Sequence, residues 1–234
     1  GDCFVADTKS GAIIFDGGSS SEDQVGRYRI LPYMKYLGYQ KIQIAVISHM
    51  DIDHYSGIKE LLEMGKIKYL GLPEIPKDET MKKIIGIAKK RGTTIFYLSR
   101  GRQITTKDGS LKVLHPQKNS QMEKNAASLV MQGKILGYRV LLTGDVEKEG
   151  EEELLSEELE RADILKAAHH GSKNSTSNEF LQKVQPKQTV ISCGKQNRYG
   201  HPHLETIHRL QTYRTKIYRT DRSGAIIFFK RRDG

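Results

Sequence analysis

The chain has 234 residues, 37% of them apolar and 28% charged, the balance of a packed globular protein and not of a disordered one. No apolar run approaches the roughly 20 residues that a membrane-spanning helix needs, so no direct membrane insertion of this region is expected. The formal charge of +10 is unevenly spread, with ten Lys or Arg against three acids in 77–112, the same ratio in 195–234, and ten acids against two bases in 145–163.

In chain order, Phe4–Ala6 and Ala12–Phe15 predict a β-hairpin turning through Lys9–Gly11, its second strand ending at Asp16-Gly17-Gly18. Residues 22–37 have helical spacing, with Pro32 placed to start a second short helix. The apolar run 42–47 predicts a buried strand, followed by a helix over 57–64 and a strand over 66–70. Lys77 to Lys90 predicts a helix closed by Arg91-Gly92. Strands follow at 94–98, 103–105, 110–115, 127–131 and 135–142. The second half alternates: an acidic helix near 147–160, strand 163–167, helix 177–184, strand 188–192, helix 203–211, strand 216–219, a turn at 221–224 and strand 225–230. Nothing in the chain reads as a linker or a repeat, so 1–234 is expected to be one domain, a piece excised from something longer. Cys3 and Cys193 lack a Cys-x-x-Cys partner, which argues against a thiolate metal site and predicts buried free thiols.

The chemistry concentrates where strand 42–47 ends. His49, Asp51, Asp53 and His54 place four potential metal ligands in six residues. In extended backbone, side chains two apart share a face, so His49, Asp51 and Asp53 are expected to converge, with His54 presented at another angle. Asp145 follows an apolar strand through Thr143-Gly144, where a carboxylate can bridge two cations. His169 and His170 end another strand; neighbours in an extended chain diverge, so one of the two is expected to face the metal. Gly171 to Ser177 should supply free backbone N–H groups, hydroxyls and the Lys173 ammonium for phosphate, although Thr176 or Ser177 can instead cap the next helix.

The run His49-x-Asp51-x-Asp53-His54 resembles the signature of metallo-β-lactamase-fold hydrolases, with Asp51 where a second histidine is usual. Thr143-Gly144-Asp145 resembles that family's bridging aspartate, and Leu165 to Ser175 its last histidine motif. With Asn197 to His203, these motifs resemble the C-terminal domain of ComEC-type DNA-uptake channel proteins. The resemblance implies an αββα sandwich of two mixed sheets flanked by helices. It implies one metal held by Asp53, His54, Asp145 and His170, and another by His49, Asp51 and Asp145, with His170 preferred to His169 as ligand. Asp53, which would also orient water, and His169 are the catalytic candidates. Asp16 would brace the ligand loop or simply cap a turn, and Asn125 and Ser128 would face the site. His115 ends a strand before Pro116 and is a weaker ligand candidate.

Ser172, Lys173, Asn174, Lys195, Arg198 and either His201 or His203 are the expected phosphate contacts, the two histidines having helix capping as the alternative. The extra carboxylate shifts the metal preference from Zn²⁺ towards Mn²⁺ or Mg²⁺. The function implied is a metal-dependent nuclease that degrades the non-transported DNA strand during natural transformation. It would work on the extracytoplasmic face of a bacterial membrane, beside the channel portion of the same protein. Two alternatives are a hydrolase of a small phosphodiester or phosphorylcholine ester, and a non-catalytic DNA-guiding module.

Overall fold

A computed structural model describes residues 1–122 and 125–229. Two sheets form its centre. The first has five strands in sequence order: β1 (Phe4–Thr8), β2 (Gly11–Phe15), β3 (Ile42–Val46), β4 (Ile67–Pro73) and β5 (Thr94–Leu98). Only the β1–β2 pair is antiparallel. The second comprises β6 (Gln103–Thr106), β7 (Gly109–His115), β8 (Val130–Ile135), β9 (Tyr138–Leu142), β10 (Ile164–Lys166), β11 (Gln188–Ile191) and β12 (Lys216–Arg219), also side by side in sequence order. It is antiparallel from β6 to β9 and parallel from β9 to β12.

Alternation along the strands builds the layers. Ile13, Phe15 and Val46 of the first sheet meet Val113, Met131, Val140 and Leu142 of the second in a core between the sheets. The intervening Ala12 and Ile14 point the other way, into a core shared with helices α1 (Leu31–Tyr36), α2 (Ile52–Glu63) and α3 (Glu79–Lys90). A third core packs α4 (Lys148–Leu155), α5 (Asn178–Val184) and α6 (Leu204–Thr212) on the outer face of the second sheet. The result is the expected αββα sandwich of mixed sheets. Among the described residues no helix is long and apolar enough to cross a membrane.

The structure corrects several boundaries. Helix α2 begins at Ile52, not at 57, so Asp53 and His54 sit on its first turn. Asp51, in extended conformation, is its N-cap, and carboxylates there are favoured by the unpaired amides of the helix start. Gly57, expected to turn the chain, is instead a packing position inside α2. A Cβ there would lie 2.7 Å from the Gly17 carbonyl oxygen and 3.0 Å from the Gly26 nitrogen. The helical stretch expected over 22–37 starts only at Gly26, as a π-helical turn to Ile30 that runs into α1, with Pro32 in the first turn as expected.

Strands 127–131 and 135–142 become β8 and β9, joined by Leu136 and Gly137, both at positive φ as a tight hairpin turn requires. The acidic helix is shorter than expected, ending at Leu155. No strand forms over 225–229; there Phe228 packs on Tyr138 and Tyr218, and Tyr138 donates to the Phe229 carbonyl. Lys230, the end of that expected strand, lies outside the described residues. Both cysteines are free, but Cys3 is exposed and only Cys193 is buried.

Candidate metal centre

Strands from both sheets deliver the site. β3 leads into Ser48 to Asp51, β9 leads to Asp145, and β10 leads to His169 and His170. The two sheets touch here: Leu129 N–H donates to the Ser48 carbonyl at 2.9 Å. Gly144, at φ 53°, slots between Ser48 and Ser128, and an added Cβ would lie 3.0 Å from the Cβ of each. Only glycine satisfies both the conformation and the space.

Asp16 lies beneath the loop, fully buried. It accepts from Ser48 N–H and Ser48 Oγ, both at 2.7 Å, and its Oδ2 is 2.8 Å from His54 Nδ1. That contact turns His54 Nε2 towards Asp145 Oδ2, 3.1 Å away. His170 is fixed in the same manner, its Nδ1 donating to the Ser192 carbonyl at 2.8 Å. Its Nε2 lies 3.1 Å from Asp53 Oδ2 and 3.2 Å from Asp145 Oδ2.

Asp53, His54 and His170 bring their donor atoms within 4.8 Å of one another, and His54 and His170 each also reach Asp145, which shares no such cluster with Asp53 among the described residues. Donor atoms bound to one tetrahedral metal about 2.1 Å away lie about 3.4 Å from one another, close to these separations. The Nε2 atoms of His49, His54 and His170 are buried and make no hydrogen bond. Three unsatisfied imidazole nitrogens around carboxylates fit a divalent metal ion, which would use those lone pairs.

The extended-chain argument for this convergence does not hold. Asp53 and His54 reach the centre from a helix, and His169 and His170 are not extended but left-handed, at φ 46° and 53°. Such backbone costs of order 1–3 kcal/mol per residue and persists only where surrounding contacts hold it. Here it does separate the two rings. His169 Nδ1 faces Glu147 Oε1 at 2.8 Å, and its Nε2 stays 3.9 Å from Asp145 Oδ2.

His49 and Asp51 form a thinner pole. His49 Nδ1 is 3.0 Å from Ser48 Oγ, and its Nε2 is 3.8 Å from Asp51 Oδ2. Asp51 is partly exposed and belongs to none of the ligand clusters among the described residues, whereas His49 clusters with His54 and Asp145. Ser128 Oγ accepts from Asp145 N–H at 3.3 Å, while Asn125 contributes its carbonyl to the Ser128 N–H. His115 lies apart from the clusters; its Nε2 is 2.6 Å from the Ala126 carbonyl and its Nδ1 3.4 Å from Glu153.

Charge follows from these contacts. Burial alone would lower His54, but Asp145 and Asp16 on either side outweigh it and raise the imidazolium to about 10. Burial and the neighbouring His54 push His49 down to about 4. Burial would raise the Asp145 carboxyl, yet His54, Lys166 and His170 hold it well below the usual range.

The loop from Ser172 to Ser177 differs from expectation. Its backbone N–H groups are all taken: Ser172 by the His169 carbonyl, Lys173 by His203 Nδ1, Asn174 by Ser172 Oγ, Ser175 by the Ser172 carbonyl, and Thr176 and Ser177 by Glu151. The acid responsible, Glu151, is a buried residue of the acidic helix α4. Ser177 caps α5, and Ser172 is buried. Lys173 and Asn174 remain exposed.

Beyond them, the His201 ring lies 5.4 Å from His169 and 4.9 Å from His203. Burial and the charges of His169 and His170 lower His201 to about 4. His203 occupies the N-cap of α6 without using its side chain there. Lys195 and Arg198 are exposed on the same loop, and Arg198 stacks 5.0 Å over Tyr199. Arg100, in the other basic segment, is consumed by Glu153 and Glu157.

Sequence reasoning missed two residues of this centre, Asp2 and Lys166. Both are buried, and they pair with each other. The visible signal was a lysine inside the apolar run Ile164 to Ala168.

The model of the metallo-beta-lactamase superfamily matches residues 1–195. ComE operon protein 3 of Bacillus subtilis is 38% identical over 216 residues, covering 90% of this chain and 27% of that protein. Competence protein ComA of Neisseria gonorrhoeae is 30% identical over 232 residues, covering 95% of this chain and 30% of its own length. The chain thus spans under a third of either relative. Among solved structures, the metallo-beta-lactamase fold protein YhfI from Bacillus subtilis superposes with a TM-score of 0.61 at 14% identity, over 93% of this chain and 88% of its own.

Proposed function

Because this chain belongs to the metallo-beta-lactamase superfamily, whose fold implies divalent metal ions, we propose that it is a metal-dependent nuclease cleaving DNA phosphodiesters during DNA uptake. The observation that carries this reading is the junction of two features. Unsatisfied imidazole nitrogens gather around Asp53 and Asp145, and the His201 ring lies 6.2 Å from that of His170, on a loop that also carries the exposed Lys195 and Arg198. A relative named for competence supports DNA uptake as the setting, and on this reading the domain works on the outer face of the membrane beside a channel. Mn²⁺ suits a set in which Asp51 stands for an imidazole.

When bound, a divalent metal supplies Lewis acidity and lowers the pKa of water. The chain's own residues do the rest. Asp53, Asp145, His54 and His170 hold the ion, with His49 and Asp51 available to a second. Asp53 orients the attacking water. His169, its Nδ1 directed at Glu147, offers Nε2 to place or take a proton at the scissile phosphate. Lys173, Lys195, Arg198 and His201 bind phosphates and carry no base preference.

The test is cleavage of an end-labelled duplex by metal-stripped and Mn²⁺-loaded protein, beside a short chromogenic phosphodiester. Metal-dependent cleavage of the duplex supports a nuclease. Turnover of the ester with an intact duplex supports a small-ester hydrolase, and duplex binding without turnover of either substrate supports a DNA-guiding module.

A further inference from the structure

Lys166 has neither a ligand's chemistry nor a route to substrate, yet it lies at the heart of the centre. It ends β10, buried, and its ammonium donates to the Gly144 carbonyl at 2.6 Å and to Asp145 Oδ1 at 3.2 Å. Its third partner is Asp2 Oδ2. Asp2 is buried as well and is fixed through its backbone, its N–H donating to the Asp53 carbonyl at 3.1 Å and its carbonyl accepting from Gly18 at 3.2 Å. Asp2 Oδ1 lies 3.4 Å from His170 Nδ1, which is already satisfied by Ser192.

Donor atoms of Asp2, Asp145 and His170 all fall within 4.8 Å of one another, a spacing that holds a cation. The ammonium group is attached to two of those three residues. Two buried carboxylates need a positive charge between them, and a buried pair that loses one partner leaves the other uncompensated at a cost of several kcal/mol.

We infer that Lys166 is a built-in cation of this centre, its ammonium occupying the place between Asp2 and Asp145 that a further divalent ion would otherwise take. The lysine thereby commits Asp145 Oδ1. Asp145 Oδ2, the oxygen beside the Nε2 atoms of His54 and His170, is the one left for metal. Asp2 keeps the lysine there and is not itself a ligand. The inference rests on the metal centre described above and is independent of whether the reaction is DNA cleavage.

The experiment is equilibrium dialysis of the purified chain against Mn²⁺, with bound metal counted by mass spectrometry. Lys166→Met is expected to bind one equivalent more than wild type, because the cation it lost is replaced. Lys166→Met combined with Asp2→Asn, which removes both charges, is expected to return to the wild-type count. Asp2→Asn alone leaves the ammonium less neutralised and should keep the count while weakening Mn²⁺ binding about 10–100-fold, the usual effect of losing a residue that supports a ligand.

A Lys166→Met protein that folds only in the presence of Mn²⁺ supports the inference. A folded Lys166→Met with the wild-type count, or Asp2→Asn with wild-type affinity, overturns it. Wild type that takes up no divalent metal overturns the centre and the inference together.

Discussion

His54 and His49 are equally buried and five residues apart, yet they are held in opposite ways. His54 stands between Asp16 and Asp145, 2.8 and 3.1 Å from their oxygens, and these carboxylates raise its pKa to about 10, so that a metal at Nε2 would displace a proton. His49 touches only the Ser48 hydroxyl on one side, and burial keeps it neutral above about pH 4. Around His54 the chain places His170, with Asp53 and Asp145 3.1 and 3.2 Å from its Nε2; around His49 it offers Asp51 at 3.8 Å and a share in His54 and Asp145. Burial supplies dehydration at both poles, but the His54 ring is oriented by the Asp16 carboxylate and the His49 ring only by the Ser48 hydroxyl. On the proposed reading, the His54 pole holds a metal tightly and the His49 pole holds one more weakly.

The strongest way to break this contrast is to remove the residue both poles share. Asp145→Ala should abolish metal uptake at both, since no neighbouring side chain replaces Asp145 Oδ2. Metal analysis of the folded variant, checked by circular dichroism, tests it, and wild-type metal content would refute the shared carboxylate.

Asp16→Asn should discriminate between the poles. Asparagine tolerates the positive φ of position 16 but lacks the charge facing His54. Affinity at the His54 pole is expected to fall about 10–100-fold. Calorimetric Mn²⁺ titration, resolving a strong and a weak event, should show the strong one moving towards the weak.

Asp51→His should sharpen the weak pole in the opposite direction, adding an imidazole and shifting its ranking from Mn²⁺ towards Zn²⁺. Competition between the two metals reads this directly, and an unchanged ranking would remove Asp51 from the ligand set.

The smallest effect on the metal comes from the rim. Lys195→Glu with Arg198→Glu should leave uptake at both poles intact while weakening duplex binding. A footprint of roughly 4–6 phosphates gives a slope of log K against log salt of about −4 to −5, and losing two contacts should flatten it by about 2. Salt titrations of both proteins measure this.

How much of this was legible beforehand depended on distance along the chain. His49 to His54, Asp145 and His169–His170 announced themselves because polar ligand types followed apolar strands, and local pattern is what a sequence displays. The start of α2 was misplaced because Gly57 reads as a turn until Gly17 and Gly26 are seen to press against it. The Asp2–Lys166 pair joins residues 164 positions apart, and no spacing rule reaches across that interval. Glu151 misled for a related reason. In a run of acids it looks solvated, yet it turns inward and takes the amides of Thr176 and Ser177 that were expected to meet phosphate. The layers were readable from alternation alone, since Ile13 and Ile14 face different cores.

The most direct test of the central claim joins metal occupancy to chemistry in one sample. Metal-stripped protein is titrated with Mn²⁺ while bound metal and cleavage of a labelled duplex are recorded together. The account predicts no cleavage from the stripped protein and cleavage that rises with occupancy of the Asp53–His54–Asp145–His170 pole, absent throughout in Asp145→Ala. Equal cleavage before and after stripping, or an intact duplex with that pole fully loaded, would contradict it.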